Sequence, residues 1–260
     1  MNRILLLFFT CFCAILLALP LVSTADTAPH LEKVVINLQD KPSLQRGARL
    51  FINYCMGCHS LNYMRYNQVA KDLGILNANG QIDEPLVKQS FIFTGDKIAD
   101  TMRNAMPPEL AKQWFGVVPP DLTLEAKVRG ADWLYTFLRS FYQDPSRPWG
   151  SNNLLFPAVN MPDVLAGLQG IQFPVYRTNV TTADSNAKLL PVIDHLVLVE
   201  AGTMPPDEFE SAMTDLVNFL VYVSDPTESQ RHHIGIWVLL FLIVFSIVTY
   251  LLKREYWKNI

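Results

Sequence analysis

A mainly α fold with long loops, closed by one C-terminal transmembrane helix, is what three features of this 260-residue sequence predict. Ile234 to Leu252 runs for nineteen residues without a charge and is rich in Leu, Ile, Val and Phe, long enough to span a bilayer. Two other stretches, beginning near Leu44 and near Pro206, repeat apolar residues every three or four positions, the period of an amphipathic helix. Much of the remainder is rich in Asn, Gly, Pro and Asp without such a period, which reads as loop.

At the start of the chain, Asn2 and Arg3 precede an apolar stretch from Ile4 to Val22 and then Ser23-Thr24-Ala25. That is the pattern of a secretory signal cut after Ala25. An uncleaved anchor is the alternative, because the stretch is long for a signal. Cys11 and Cys13 fall inside it, so a cleaved chain keeps only Cys55 and Cys58. Export leads to an oxidising compartment, yet no thiol pair is spare for a structural disulfide if these two are used chemically.

Ser43 is a suitable N-cap, and Leu44, Gly47, Ala48, Phe51 and Cys55 share one helical face, so a helix should run from about Leu44 into the Cys pair. There the chain reads Cys55-Met56-Gly57-Cys58-His59, the attachment signature of a c-type haem. Two thiols three positions apart can each add to one vinyl group of a porphyrin, and the adjacent imidazole reaches the iron. A redox dithiol or half a zinc site would account for the cysteines alone. Neither accounts for the histidine together with the export signal, and no second exported Cys pair completes a four-thiolate site. The expected fold is therefore a cytochrome c-type haem domain.

Residues 74 to 90 read as a loop, and Pro119-Pro120 breaks the chain before a helix expected from about Leu122 to Tyr142. Residues 143 to 206 read as long loops with a short strand near Val192 to Val199. The late helix, from Pro206 or Asp207 to Val223, gathers Phe209, Ala212, Met213, Leu216, Phe219, Leu220 and Val223 on its apolar side, and Asp225-Pro226 ends it. Gly47 lets another backbone approach, and Phe219 with Tyr222 is suited to fill that place. Such a crossing of the first and last helices would close the haem pocket.

Lys253, Arg254 and Lys258 directly follow the apolar span, which places the tail in the cytoplasm and the bulk outside. The expected organisation is a signal at 1–25, an exported domain at 26–233, a transmembrane helix at 234–252 and a cytoplasmic tail at 253–260. The exported part holds 23 acidic against 17 basic residues. That excess makes nucleic acid an unsuitable partner and would steer a basic redox protein toward the domain.

The second axial position has few candidates. Met161 lies in Phe156-Pro157-Ala158-Val159-Asn160-Met161-Pro162 and Met204 in Gly202-Thr203-Met204-Pro205-Pro206, both beside a stiffening proline. Met106 also precedes prolines, and His195 is the histidine between His59 and the His232-His233 pair. Spacing alone does not separate Met161 from Met204.

The chain resembles the cytochrome c1 family, in its short bacterial form. The matching stretches are the run from Ser43 through the haem motif to Leu61, Val118-Pro119-Pro120-Asp121-Leu122-Thr123, Asn152 through Pro162, and the terminal helix with Lys253-Arg254-Glu255-Tyr256-Trp257-Lys258. Only the haem motif is specific by itself; the order of all four is highly specific. The resemblance implies one covalent haem c, with His59 and Met161 as axial ligands, Arg129 pairing with a propionate and Pro120 lining the pocket. Trp133 stands where many relatives have Tyr. It implies an electron-transfer subunit of a dimeric quinol-oxidising cytochrome bc1 complex in the bacterial inner membrane. The haem would take electrons from a Rieske iron-sulfur protein beside cytochrome b and pass them to cytochrome c. On that reading the subunit performs no acid-base catalysis of its own. Two rivals remain from the residues: an independent membrane-anchored cytochrome c feeding an oxidase, and a haem peroxidase, which needs an open iron position.

Overall fold

The computed structural model of the chain describes residues 30–95, 97–177 and 192–258. The expected signal at 1–25 and the last two residues of the tail lie outside these. Helix α1 spans Lys41–Leu50 and passes without a break into one π-helical turn, Phe51–Cys55. It starts before the expected Leu44, and its cap is Asp40 rather than Ser43. The Asp40 carboxylate accepts from the Ser43 amide, and Pro42 occupies an early position where no amide donor is needed. The π turn places one extra residue before the haem motif and leaves Phe51, Ile52 and Cys55 facing the core.

After the motif come β1 (Leu61–Arg65), α2 (Tyr66–Asp72), α3 (Glu84–Phe91), β2 (Thr101–Met102) and α4 (Pro108–Phe115). The expected loop at 74–90 thus contains most of a helix, capped by Asp83 on the Leu86 amide with Pro85 in the first turn. That Asp-x-Pro start is a legible signal that the loop reading missed. Strands β1 and β2 pair antiparallel.

The single helix expected over 122–142 is two helices, α5 (Glu125–Arg129) and α6 (Ala131–Arg139), broken at Gly130, whose φ is +88°. Glycine tolerates that conformation and a continuous helix does not. The chain then turns into β3 (Phe141–Gln143), paired antiparallel with β4 (Ser151–Asn153). This pairing follows directly on the helix end at Arg139. Next are α7 (Ala166–Gln169), β5 (Gly170–Arg177), β6 (Val192–Ala201), α8 (Pro206–Ser224) and α9 (Glu228–Tyr256). The short strand expected near 192–199 is longer and pairs with β5, so 143–206 is less loop-like than its composition suggested. The two strands make a ribbon with half-exposed side chains on both faces, which denies it the alternation that marks a half-buried strand.

The expected crossing of first and last helices is present. A Cβ on Gly47 would lie 2.0 Å from the Asp215 carbonyl oxygen and 2.7 Å from the Phe219 Cβ, so the α1 and α8 backbones touch there. Phe51 and Phe219 pack at 5.8 Å between ring centroids inside a core that includes Leu44, Ala48, Met213 and Leu216. Tyr222 does not fill the Gly47 contact; its hydroxyl donates to the Asp72 carboxylate at 2.7 Å instead. Polar clamps flank the crossing. Arg46 forks onto both Asp215 oxygens at 2.6 and 2.9 Å, and Asn218 donates to Asn37 O and Ser43 Oγ while accepting from the Asn37 amide.

Helix α9 contains Gln230–Tyr256, a stretch of mean hydropathy 2.6 with none of its apolar window buried within the chain. A soluble helix of that composition would bury one face. Asp225, 8 % exposed, accepts from Lys127 of α5 at 3.0 Å and from Arg231 of α9 at 2.6 Å, tying the exposed helix to the domain.

Candidate haem-binding site

Below the α1–α8 crossing lies an apolar cavity of about 390 Å³. Its wall includes Cys55, Cys58, His59, Pro120, Arg129 and Met161 together, all six of the site residues singled out from the sequence. Met204 does not line it; it packs, partly buried, against the main core. Met106 and His195 also lie elsewhere, His195 on the exposed β6 paired with Asp194.

The haem motif is a tight turn at the end of the π-helical segment. The Cys58 and His59 amides both donate to the Cys55 carbonyl, at 3.0 and 2.9 Å. This folds the second thiol and the imidazole back over the first. Asn104 adds a side-chain donor to the Cys58 carbonyl and its amide donates to Ser60 Oγ, so the loop after β2 holds the turn from behind. Sequence reasoning missed Asn104, since nothing local connects it to residues 46 positions earlier.

His59 Nδ1 lies 2.7 Å from the Pro120 carbonyl oxygen. A carbonyl can only accept, so the proton sits on Nδ1 and the Nε2 lone pair is left for a ligand. Pro120 lines the cavity, and its carbonyl fixes the imidazole tautomer. Asp121 supports the same segment by accepting from the Asn62 and Thr123 amides. Burial lowers the His59 pKa, opposed by the Pro120 bond and by the Asp121 and Glu125 carboxylates. The Cys55 thiol is pushed up to about 12 by burial and then by its neighbour Cys58, whose own pKa burial also raises.

Met161, also on the cavity wall, lies in a segment, 154–165, without helix or strand. Asn153, fully buried, accepts from the Leu155 and Phe156 amides and from Ser140 Oγ, and donates to the Phe137 carbonyl. Asn152 accepts from the Ala158 amide and donates to Asp144. The Asn-Asn pair is a scaffold for a loop without helix or strand.

Arg129 stacks on Trp133 at 4.3 Å, and its Nε donates to Glu125 at 2.9 Å. Glu125, another lining residue, was not singled out from the sequence; one helical turn before Arg129, it was visible as an i, i+4 pair. Trp133 and Phe137 stack at 5.0 Å and continue the aromatic wall.

Two thiols, an imidazole nitrogen and a thioether on an apolar cavity form the donor set of a low-spin c-type haem, and the walls suit a porphyrin. The residues present therefore fit the group.

The model of the family described as "Cytochrome C1 family" matches residues 32–260. A protein of Allochromatium vinosum named "Cytochrome c1" is 46 % identical over 246 residues, covering 95 % of this chain and 96 % of that one. A protein of Nitrosomonas europaea named "Ammonia monooxygenase gamma subunit" is 44 % identical over 247 residues, with the same coverage of both. A solved chain described as "Hyperthermophilic respiratory Complex III" aligns over 99 % of this chain and 98 % of its own, at 15 % identity and a TM-score of 0.43. With the family model spanning nearly the whole chain, this protein belongs to the cytochrome c1 family, the haem c electron-transfer subunits of quinol:cytochrome c oxidoreductase.

Proposed function

We propose that the chain carries one haem c, bound covalently through Cys55 and Cys58, with His59 and Met161 as its axial ligands. The observation that carries this is the convergence of the two thiols, the tautomer-fixed imidazole and Met161 on one apolar cavity that Met204 does not reach. Cys55 and Cys58 would hold the group through thioethers, each by addition of S–H across a vinyl group, sulfur to one carbon and hydrogen to the other, with no net electron transfer. When bound, the haem supplies one-electron exchange at iron.

The remaining work falls to the chain. Pro120 orients His59, the Asn152-Asn153 scaffold holds the Met161 loop, and the apolar walls exclude water, which favours the less charged, reduced state. Arg129 would offer its Nη donors to a propionate while Glu125 retains Nε. Exposed Phe156 and Trp149 near the cavity mouth leave a path for electrons to reach a partner.

In the cell, the first 25 residues direct export and are removed, α9 spans the inner membrane once, and the tail stays cytoplasmic. The haem domain then faces the periplasm beside cytochrome b, in a dimeric complex. It takes electrons from a Rieske protein and gives them to a cytochrome c, drawn by the acidic excess of the exported part. The Nitrosomonas relative's name raises a different assembly, and purification of the membrane complex separates the two by the subunits that accompany the chain.

The ligand assignment is tested in that complex. Met161→Leu should abolish the low-spin His/Met spectrum, lower the potential and stall quinol-to-cytochrome c transfer. Met204→Leu should keep the spectrum at a packing cost below about 1.5 kcal/mol. The reverse pattern would falsify the assignment. Haem staining that survives denaturing electrophoresis checks the thioethers.

A further inference from the structure

We infer that Arg147 is the positioning residue for Met161, acting through the backbone of the loop rather than by touching the cavity. This rests on the proposal that Met161 ligates the iron. Arg147 sits in the 144–150 turn between β3 and β4, where its amide donates to the Asp144 carbonyl and its own carbonyl accepts from Gly150. From there one nitrogen, Nη2, reaches three consecutive residues. It donates to the Ala158 carbonyl at 2.8 Å, the Val159 carbonyl at 3.3 Å and Asn160 Oδ1 at 3.2 Å.

Those three residues immediately precede Met161 and, like it, line the cavity. Among them Ala158 is held at φ +62°, a left-handed conformation that a residue with a Cβ rarely adopts. Two contacts hold it there: Asn152 accepts from its amide, and Arg147 donates to its carbonyl. Released, Ala158 would relax toward negative φ and swing the following residues. A neutral thioether binds iron weakly and needs its sulfur at one place, so a loop without helix or strand gains from being fixed from outside. Arg147 Nε is itself buried with no hydrogen-bond partner among the described residues. The half-buried guanidinium thus sits with Nε inside the protein while Nη2 grips the loop, which marks a held position.

The test uses the full chain, matured with haem in its membrane, and reads carbon monoxide binding to the reduced haem together with the sulfur-to-iron absorption band. Arg147→Gln removes the charge and the fork. It should raise the carbon monoxide-accessible fraction about tenfold, the factor matching loss of a hydrogen bond from a charged donor. The potential should fall with it, while haem staining stays at the level of the unaltered protein. Arg147→Lys, a milder change if the glutamine variant matures poorly, should show the same shifts at smaller size, because an ammonium keeps the charge but not the planar fork. In a Met161→Leu background the iron position is already open, so Arg147→Gln should add nothing to carbon monoxide binding; a general structural role would add to it in both backgrounds. The inference is overturned if Met161→Leu abolishes the sulfur band while Arg147→Gln and Arg147→Lys leave band, potential and gas binding unchanged. If Met161→Leu itself leaves the band intact, the ligand assignment has failed instead, and the role of Arg147 falls with it.

Discussion

The two walls of the cavity are built by different means. On the histidine side, His59 follows directly from α1 and its π turn, backed by α8 across Gly47, with Phe51, Met213, Leu216 and Phe219 fully buried between them. Its stability is spread over backbone hydrogen bonds and many apolar contacts, so no single side chain short of the crossing itself is decisive. On the methionine side, residues 154–165 have no helix or strand, and four side chains, those of Ser151, Asn152, Asn153 and Arg147, supply bonds that secondary structure supplies opposite. Such a wall is adjustable locally but concentrated in a few polar atoms, each expensive to lose.

The strongest way to break this contrast is at the one concentrated point of the helical side. Gly47→Leu puts side-chain atoms where the Asp215 carbonyl already stands, and no rotamer escapes a Cβ at 2.0 Å. It should cost more than about 4 kcal/mol and leave little folded, haem-bearing protein in a membrane preparation. Normal maturation would show that the two helices are not pressed together.

A smaller but more discriminating change is Asn153→Ala. It deletes three accepted bonds and one donated bond at a fully buried residue, for about 3 kcal/mol. Proteolysis should find new cleavage within 154–161 while far-ultraviolet dichroism stays unchanged. Loss of helix at the same protein concentration would mean that the walls fold as one and the contrast is false.

Acid sharpens the comparison on the helical side. Lys127, and with it Arg231, hold the Asp225 carboxyl below the usual carboxylate range. Because the folded value is the lower one, the stabilisation is complete above the unfolded value of about 3.9 and fades as pH falls through the folded value. Denaturant unfolding of the unaltered chain and of Asp225→Asn should differ by a constant amount near neutrality and converge below about pH 4. A difference that grows in acid would contradict the pairing. The smallest effect belongs to neither wall: Lys88→Ala removes an exposed pair with Glu84 at 3.3 Å and should change stability by about 0.3 kcal/mol.

How much was legible beforehand follows the same division. Periodic elements declared themselves: α8 was read to within a residue or two, α1 to within three, and the apolar core of α9 by length and hydropathy. Gly47 was recognisable as a close approach, and the haem motif as chemistry. The 122–142 helix was misread because its apolar pattern continues through Gly130, whose positive φ no periodicity reveals. Helix α3 was hidden by composition, although Asp83 and Pro85 announced its start.

What the sequence by itself determined is a motif and a candidate span: two thiols and a histidine at the spacing of a haem-attachment signature, and a charge-free run long enough to cross a bilayer. Those are local properties, set by neighbours along the chain. Which methionine reaches the cavity, which carbonyl fixes the tautomer of that histidine and which arginine grips the loop depend on contacts across the fold: His59 and Pro120 are 61 positions apart, and Arg147 reaches Ala158 from a separate loop with no period to read. Spacing left Met161 and Met204 level, and only folding placed one on the cavity and the other against the core. Side-chain hydrogen bonds across a fold leave no mark on local composition, because any of many polar residues could make them; the closed cavity selects which ones do.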